Sequence, residues 1–332
     1  EEEFFPKGIA LNNLKLRASW GRLGNENALG YYDFLALIST YNTKYQGYVK
    51  GNGDNAWAGS IARGLENRSL KWETTDTKNI GLDFGFFNNK LTGAMNYYYN
   101  QTEELLITKA LPPSAGLNNP ILNVGKIRNS GVEVEINWAD SKGGFDYNIG
   151  MNFSTTKNKV VELADKGQVL YGEGLKYGTE HFPTQTRVGK PIGAFYLYKT
   201  NGLFQSNEEA RQYVNADGDE YQPFADAGDI RYVDVNGDGY IDDDDKVYCG
   251  SGIPTLEVNL NFSAGYKGFD LSVVLGSAWG HKIYNGNKYF YEGMNSGSNF
   301  LTSSLNAWTP QNTNTNIPVS YTHLTLPTNS RV

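Results

Sequence analysis

Segments of about ten residues with alternating apolar and polar side chains recur along most of this 332-residue chain, and that period of two limits what it can become. Residues two apart on a strand share a face of the sheet. Val132, Val134, Ile136 and Trp138 therefore point one way, and Glu133, Glu135 and Asn137 the other. The pattern returns as Ile80, Leu82, Phe84 and Phe86 against Gly81, Asp83 and Gly85, and as Leu256, Val258, Leu260 and Phe262 against Glu257, Asn259 and Asn261. A long antiparallel array with a continuous apolar outside and a polar inside is what a transmembrane β-barrel requires.

Composition agrees with an all-β chain. Aromatics are 14% with 23 Tyr, glycine numbers 38, and the hydrophobic share is 39%, a mixture that suits strands and turns better than helices. No apolar run approaches the roughly 18 residues of a membrane-spanning helix. Low mean hydropathy leaves the barrel open, because lumen-facing residues dilute every strand. The formal charge of -7, with no cluster of Lys and Arg, argues against a nucleic-acid partner. The single cysteine, Cys249, excludes an intrachain disulfide framework and a zinc cluster and reads as a packing residue. Glu1, Glu2 and Glu3 have neither the basic start nor the apolar core of a signal peptide. The chain is therefore expected to be cytosolic or to begin partway through a longer protein.

Along the chain, Leu14 to Leu23 reads as a strand stopped at Gly24-Asn25-Glu26-Asn27. A Tyr-, Gly- and Asn-rich stretch to about Leu65 reads as a strand pair with an extended loop. A long hairpin follows, Trp72 to Phe87 and Leu91 to Thr108, with Asn in its short turn, a residue that tolerates left-handed backbone. The connection from Ala110 to Lys126 holds Pro112-Pro113 and Pro120 and is expected outside the sheet. A second hairpin runs from Gly131 to Trp138 and from Phe145 to Val161, and a third from Leu256 to Tyr266 and from Phe269 to Ala278 around Lys267-Gly268. Between these two hairpins, Asp165 to about Pro254 is irregular, with one short helix expected at Ser206 to Tyr213, where Ser206 is a natural N-cap. Short turns thus alternate with long connections, the asymmetry of outer-membrane barrels.

The sharpest local motif is the acidic run from Asp234 to Asp245. Asp234, Asn236, Asp238, Asp242 and Asp245 fall at positions one, three, five, nine and twelve of an EF-hand-type loop, with Gly239 at six, Tyr240 at seven and Ile241 at eight. A hard divalent cation needs several oxygens, alternate residues can supply them, and glycine permits the bend. The spacing predicts a structural Ca2+ held by Asp234, Asn236, Asp238, Tyr240, Asp242 and Asp245. Asp245 stands where the strongest motif has Glu, and no flanking helix pair is evident. The competing reading is an Asx-rich turn closed by its own backbone.

Other candidates carry less. Trp57, Tyr97, Tyr98, Tyr99, Trp138, Tyr196, Tyr198 and Trp279 are expected as interface girdle or strand packing rather than sugar platforms. Tyr171, Tyr177 and Tyr291, in long connections, are better placed for substrate or partner contact. His181, His281 and His323 are scattered; the carboxylate pairs Glu103-Glu104 and Glu133/Glu135 could in principle serve as acid and base, but Glu133 and Glu135 alternate with apolar residues on a strand and read as lumen lining. No nucleophile elbow, phosphate loop or dinucleotide fingerprint occurs, so an enzyme is not expected.

A family resemblance rests on ordered segments: Leu16-Arg17-Ala18-Ser19-Trp20-Gly21 with Gly24-Asn25, then Leu70-Lys71-Trp72-Glu73, then Gly193-Ala194-Phe195-Tyr196 with Asn201-Gly202-Leu203-Phe204-Gln205. Gly228-Asp229-Ile230 before the acidic loop, and Trp308-Thr309-Pro310 with Asn314-Thr315-Asn316-Ile317-Pro318, complete it. In this order they resemble the C-terminal part of SusC/RagA-type TonB-linked outer-membrane transporters. The resemblance implies an antiparallel barrel of 22 strands enclosing a plug, of which this chain would hold about half the strands, open or incomplete, with long external loops. It also implies import of oligosaccharides or peptides, a SusD-like surface lipoprotein as partner, contact with outer-membrane lipid, and energy from the TonB complex through an N-terminal region that has no counterpart here. Residues 1–318 would be barrel, and 319–332, which lose the rhythm, an aberrant tail from truncation or a cloning scar. The rival expectation is a soluble secreted β-sandwich or adhesin with a calcium-stabilised loop.

Overall fold

In the computed structural model the described residues are 10–319, without 28, 37, 41–59, 63, 110, 112, 173–174, 178, 293 and 295–298. Trp57, His323 and residues 320–332 of the expected tail lie outside them, as do the side chains of Tyr177 and His181. The chain divides into two compact units, one of Glu1–Gln168 with Thr255–Ala278, the other of Val169–Pro254 with Trp279–Val332.

The first unit is a wall. Its strands are β1 (Leu11–Asn25), β2 (Glu73–Phe86), β3 (Leu91–Glu103), β4 (Gly125–Lys142), β5 (Phe145–Thr155), β6 (Lys157–Leu163), β7 (Leu256–Tyr266) and β8 (Phe269–Trp279). They form one sheet in the order β1-β2-β3-β4-β5-β7-β8, with β6 pairing the first part of β4. β5 and β6 are two halves of one line interrupted at Thr156, whose N–H donates to the Thr255 carbonyl. Every pairing with a defined register is antiparallel. Among the described residues β1 and β8 each have one unpaired edge, so the sheet is not closed.

The strands are longer than the alternation alone marks. β4 runs from Gly125 to Lys142 rather than from Gly131 to Trp138, because Ile127 to Ser130 find partners in both β3 and β6 and Gly125 and Lys126 in β6. The expected Leu91 to Thr108 strand breaks at Glu104, which takes a positive φ of 56°. Leu106–Thr108 then turns aside to pair with Ile121–Asn123. In the Tyr-rich stretch Ile38–Thr40 pairs with Ser60–Ala62, the expected strand pair.

The hairpin turns are tight because their residues accept left-handed backbone. Gly143 and Gly144 join β4 to β5 with φ of 63° and 79°, and Lys267 and Gly268 join β7 to β8 with 49° and 85°. Phe87, Asn88 and Asn89, all near 57–59°, join β2 to β3. Leu11, where β1 begins, pairs with Phe86 beside that last turn. All three short turns therefore lie at one end of the wall. The connections β1–β2, β3–β4 and β6–β7 leave from the other.

Register aligns the apolar positions into rows across the wall. Leu16, Leu82, Met95, Val134, Phe153 and Val258 are successive partners, as are Leu14, Phe84, Gly93, Ile136, Met151 and Leu260. This face is open: Leu16 is 75% exposed, Ile80 60% and Leu275 57%. A sandwich would bury such a face under a second sheet; a barrel turns it to lipid.

The second unit is built largely of short strands whose two to five residues are too few to show a period. Leu170–Tyr171, Thr184–Thr186, Ala194–Tyr198 and Lys246–Gly250 make a four-stranded sheet, and Thr200–Leu203 pairs with Ile230–Tyr232. The stretch expected to be irregular is thus ordered. α1 (Asn207–Gln212) forms where expected, and the Ser206 side chain accepts from the Glu209 N–H. α2 (Gly286–Tyr291), capped by Asn285, has no comparable signal in its aromatic-rich sequence.

Candidate functional site

Three features bear on function: the two faces of the wall, the acidic loop, and the core that supports it. On the face opposite the apolar rows stand Arg17, Asp83 and Asn96, with Glu133, Glu135 and Asn152 further along. Arg17 donates through Nε and Nη2 to both carboxylate oxygens of Asp83 at 2.8 and 2.7 Å, and through Nη2 to Asn96 Oδ1 at 2.8 Å. This bidentate clamp ties β1 to β2 and β3 on the polar side. Gly81, which faces Arg17 across the β1–β2 pair, leaves room for it; a Cβ there would lie 2.4 Å from Asn96 Oδ1. The clamp was missed from sequence, although Arg17 and Asp83 both stand at polar positions of alternating strands.

The apolar face is bordered by aromatics. At the short-turn end Phe86, Phe87, Trp138, Phe145, Tyr147 and Tyr266 cluster, with Phe87 to Trp138 at 6.2 Å and Phe145 to Tyr266 at 6.3 Å between ring centres. Trp138 Nε1 donates to the Tyr147 hydroxyl at 3.2 Å. Toward the other end Trp20, Lys78 and Tyr99 share a row, and Tyr97 stands one step inside it. From Phe86 to Lys78, eight residues at about 3.4 Å each give about 27 Å along the strand, the scale of the apolar band in outer-membrane barrels. Tyr97, Tyr99 and Trp138 thus take girdle positions. Tyr98 turns to the polar side, its hydroxyl bonding the Thr155 carbonyl and Thr156 Oγ1.

The acidic loop is folded by its own carboxylates. Asp234 Oδ1 accepts from the Gly237 N–H at 2.6 Å and Oδ2 from the Gly239 N–H at 2.9 Å, and those glycines take φ of 77° and 91°. Asn236 Oδ1 accepts from Asp238 N–H and Asp238 Oδ1 from Tyr240 N–H. Asp245 is fully buried and accepts from the N–H groups of Val235, Asn236 and Asp242. Asp242 and Asp245 also form a reciprocal capping box. The six residues predicted as ligands therefore do come together in one loop, with most of their side-chain oxygens committed to main-chain donors. Among the described residues no group of three or more His, Cys, Asp or Glu side chains is arranged to hold a metal ion. Asp245 Oδ1 spends both its lone pairs on Val235 and Asn236, whereas an oxygen that accepts a single bond keeps one free, so the donor set leaves room for a hard cation without being assembled around one.

Electrostatics reinforce the loop. Burial acts to raise the Asp234 carboxyl, but the Gly239 and Gly237 N–H groups and the Tyr221 hydroxyl outweigh it and hold the group below its ordinary value. Burial likewise opposes ionisation of Asp243, and Lys246 at 2.7 Å with the Tyr198 and Tyr171 hydroxyls brings it below the ordinary value. Burial, then Asp243, pushes the Tyr198 hydroxyl up. Burial also raises the Cys249 thiol, which suits packing rather than nucleophilic chemistry.

Behind the loop lies a core of Leu203, Ile230, Tyr232 and Trp308, flanked by Tyr198, Ala227 and Ile241. Trp308 Nε1 donates to Gln205 Oε1 at 3.1 Å, and its main-chain N–H to the Ile317 carbonyl. Gly228 takes a φ of 89°, and a Cβ there would sit 2.6 Å from the Trp308 ring. Segments far apart in sequence, Asn201 to Gln205, Gly228 to Ile230 and Trp308 to Ile317, are therefore one packing unit.

These features have counterparts in known proteins. The chain is similar to the TonB-dependent receptor P3 of Formosa agariphila, 30% identical over 320 residues that make up 96% of this chain and 30% of that protein. It is similar also to the TonB-dependent receptor SusC of Bacteroides thetaiotaomicron, 28% identical over 311 residues, 92% of this chain and 28% of that one. The RagAB peptide transporter structure superimposes with a TM-score of 0.70 over 95% of this chain and 32% of that chain, at 23% identity, which speaks to the fold. The chain spans about a third of the length of these relatives. The family profile described as TonB dependent receptor-like, beta-barrel, matches residues 2–328, and with the open two-faced wall and its girdles this chain belongs to the TonB-dependent receptor family, within its β-barrel.

Proposed function

We propose that this chain supplies barrel wall and extracellular loops to an outer-membrane importer of oligosaccharides or peptides that works with a SusD-like surface lipoprotein and draws energy from TonB through a part of the protein outside this chain. The single observation that carries the reading is the wall itself, with an apolar face bordered by aromatics, a polar face tied by Arg17 and Asp83, and all short turns at one end. Short turns mark the periplasmic side of such barrels and long connections the outside, which supports reading the long connections as external loops. The chain acts as scaffold and surface rather than as an enzyme. The relatives' names speak of receptors, and one structure of a peptide transporter.

The test is to express the full-length protein that carries this chain with its candidate lipoprotein. The reading expects a heat-modifiable band extracted only by detergent that co-purifies with the lipoprotein. A soluble protein without detergent would overturn it.

The acidic loop is proposed to take Ca2+ as a structural ion through Asp234, Asn236, Asp238, Tyr240, Asp242 and Asp245. What supports this is the EF-hand spacing together with carboxylates already fixed by main-chain donors. Millimolar Ca2+ is expected to raise the unfolding temperature of the second unit and a chelator to lower it, and Asp238→Ala is expected to remove the difference. An unfolding temperature indifferent to both would leave the loop a self-closed Asx turn.

A further inference from the structure

Beyond the Trp20–Tyr99 row the outward face of the wall changes character. The row runs on from Lys78 through Tyr99 and Ser130 to Lys157. In the next row toward the long connections, Arg22 pairs with Asp76, Asp76 with Gln101, Gln101 with Arg128 and Arg128 with Lys159. Lys126 follows one row further, opposite Glu162. Six cations thus share this strip of one face, namely Arg22, Lys78, Lys126, Arg128, Lys157 and Lys159.

Two of them are neutralised within the wall, Arg22 by Asp76 at 2.7 Å and Lys126 by Glu103 at 3.0 Å. The other four form no carboxylate ion pair among the described residues, against the single further carboxylate of Glu162. Lys78 and Arg128 flank the Tyr99 ring, at 5.9 and 5.1 Å from its centre. Arg128 Nη2 donates to Gln101 Oε1 at 3.2 Å, while its Nε is buried without a hydrogen-bond partner. Lys78, Lys157 and Lys159 are exposed. A soluble surface would intersperse carboxylates among so many cations. Here the excess sits at the rim of an apolar band, on the side of the long connections.

We propose that this strip binds the phosphate groups of lipid headgroups in the external leaflet, with Lys78, Arg128, Lys157 and Lys159 as the contacting side chains. The assignment rests on the membrane reading above. An aromatic row fixes the level of the interface, long basic side chains extend from it toward the headgroups, and a cation near an anionic leaflet is attracted to it. Register matters more than composition: Ile80 and Tyr97 in the neighbouring row are apolar on the same face, so the charge begins where the hydrocarbon ends.

The test uses the full-length protein in detergent, titrated with bisphosphorylated lipid A or with the same lipid dephosphorylated. Lys78→Gln/Lys157→Gln/Lys159→Gln is expected to weaken binding of the phosphorylated lipid at least about tenfold. Lys142→Gln/Lys267→Gln, at the short-turn end, is expected to leave it within about twofold. The dephosphorylated lipid is expected to bind wild type as weakly as the phosphorylated lipid binds the triple variant. Heat-modifiability of each variant reports that the barrel is intact. A barrel that holds both lipids equally, or that the triple substitution does not weaken, overturns the inference while the membrane reading stands. Inorganic phosphate bound as tightly as the lipid would overturn the lipid assignment, and a protein soluble without detergent would remove both readings.

Discussion

Asp245 shows how much one side chain can carry. Its fully buried carboxylate accepts from three main-chain donors in two parts of the acidic loop, so Asp245→Ala leaves buried N–H groups without partners. The expected cost is about 3 kcal/mol, read as a lower unfolding temperature of the full-length protein. Trp308→Ala, which empties the core that joins three segments, is expected to cost about 3–5 kcal/mol by the same assay. The loop also has an acid limit. Asp234 and Asp243 are both held below their ordinary value of 3.8, so the unfolded state binds more protons as acidity rises. Their contribution is complete above about 3.8 and fades as pH falls toward the lower folded values. Tyrosine fluorescence or near-ultraviolet circular dichroism of the second unit should change over that window, and a signal constant down to about pH 2 would contradict it. At this scale sequence was informative about which residues gather and silent about how they bond. The spacing from Asp234 to Asp245 placed six residues in one loop, but no spacing says whether a carboxylate turns to an ion or to its neighbours' N–H groups. The Trp308 core was visible only as separate motif fragments, because contacts between residues 205 and 308 leave no local period.

At the level of the strand the alternation was a reliable guide, and its failures have a common cause. Faces assigned from Val132 to Trp138 and from Leu256 to Phe262 agree with the register throughout. Strand ends do not follow the period, since Lys126 to Ser130 hold one apolar residue, Ile127, among polar ones, yet Ile127 to Ser130 pair on both sides. In the second unit, strands of two to five residues are set by tertiary packing alone. The two faces should respond differently to charge. Met95, 48% exposed in the middle of the apolar rows, is expected to cost about 2–4 kcal/mol when changed to Arg. Asn152→Arg, on the polar face, is expected to cost under about 1 kcal/mol. Urea unfolding in detergent measures both, and equal penalties would mean that the faces are not distinguished by lipid. Gly268, at a φ of 85°, closes the β7–β8 hairpin, and Gly268→Val is expected to lower its stability by about 1–2 kcal/mol.

For the molecule as a whole, the arrangement of its connections governs how it can be assembled. The wall's hairpins close with two to four residues at one end, whereas the stretch from β6 to β7, together with the chain after β8, makes an ordered unit with its own buried Phe204, Asp245 and Trp308. If the short turns stay on the side from which the protein enters the membrane, every residue of that unit has to pass the apolar band first. A folded body with buried carboxylates and a self-bonded acidic loop cannot dissolve in hydrocarbon. On the membrane reading proposed above, the unit would travel as an unfolded thread and close around Trp308 only after arrival, so that for this part of the chain insertion would come before folding.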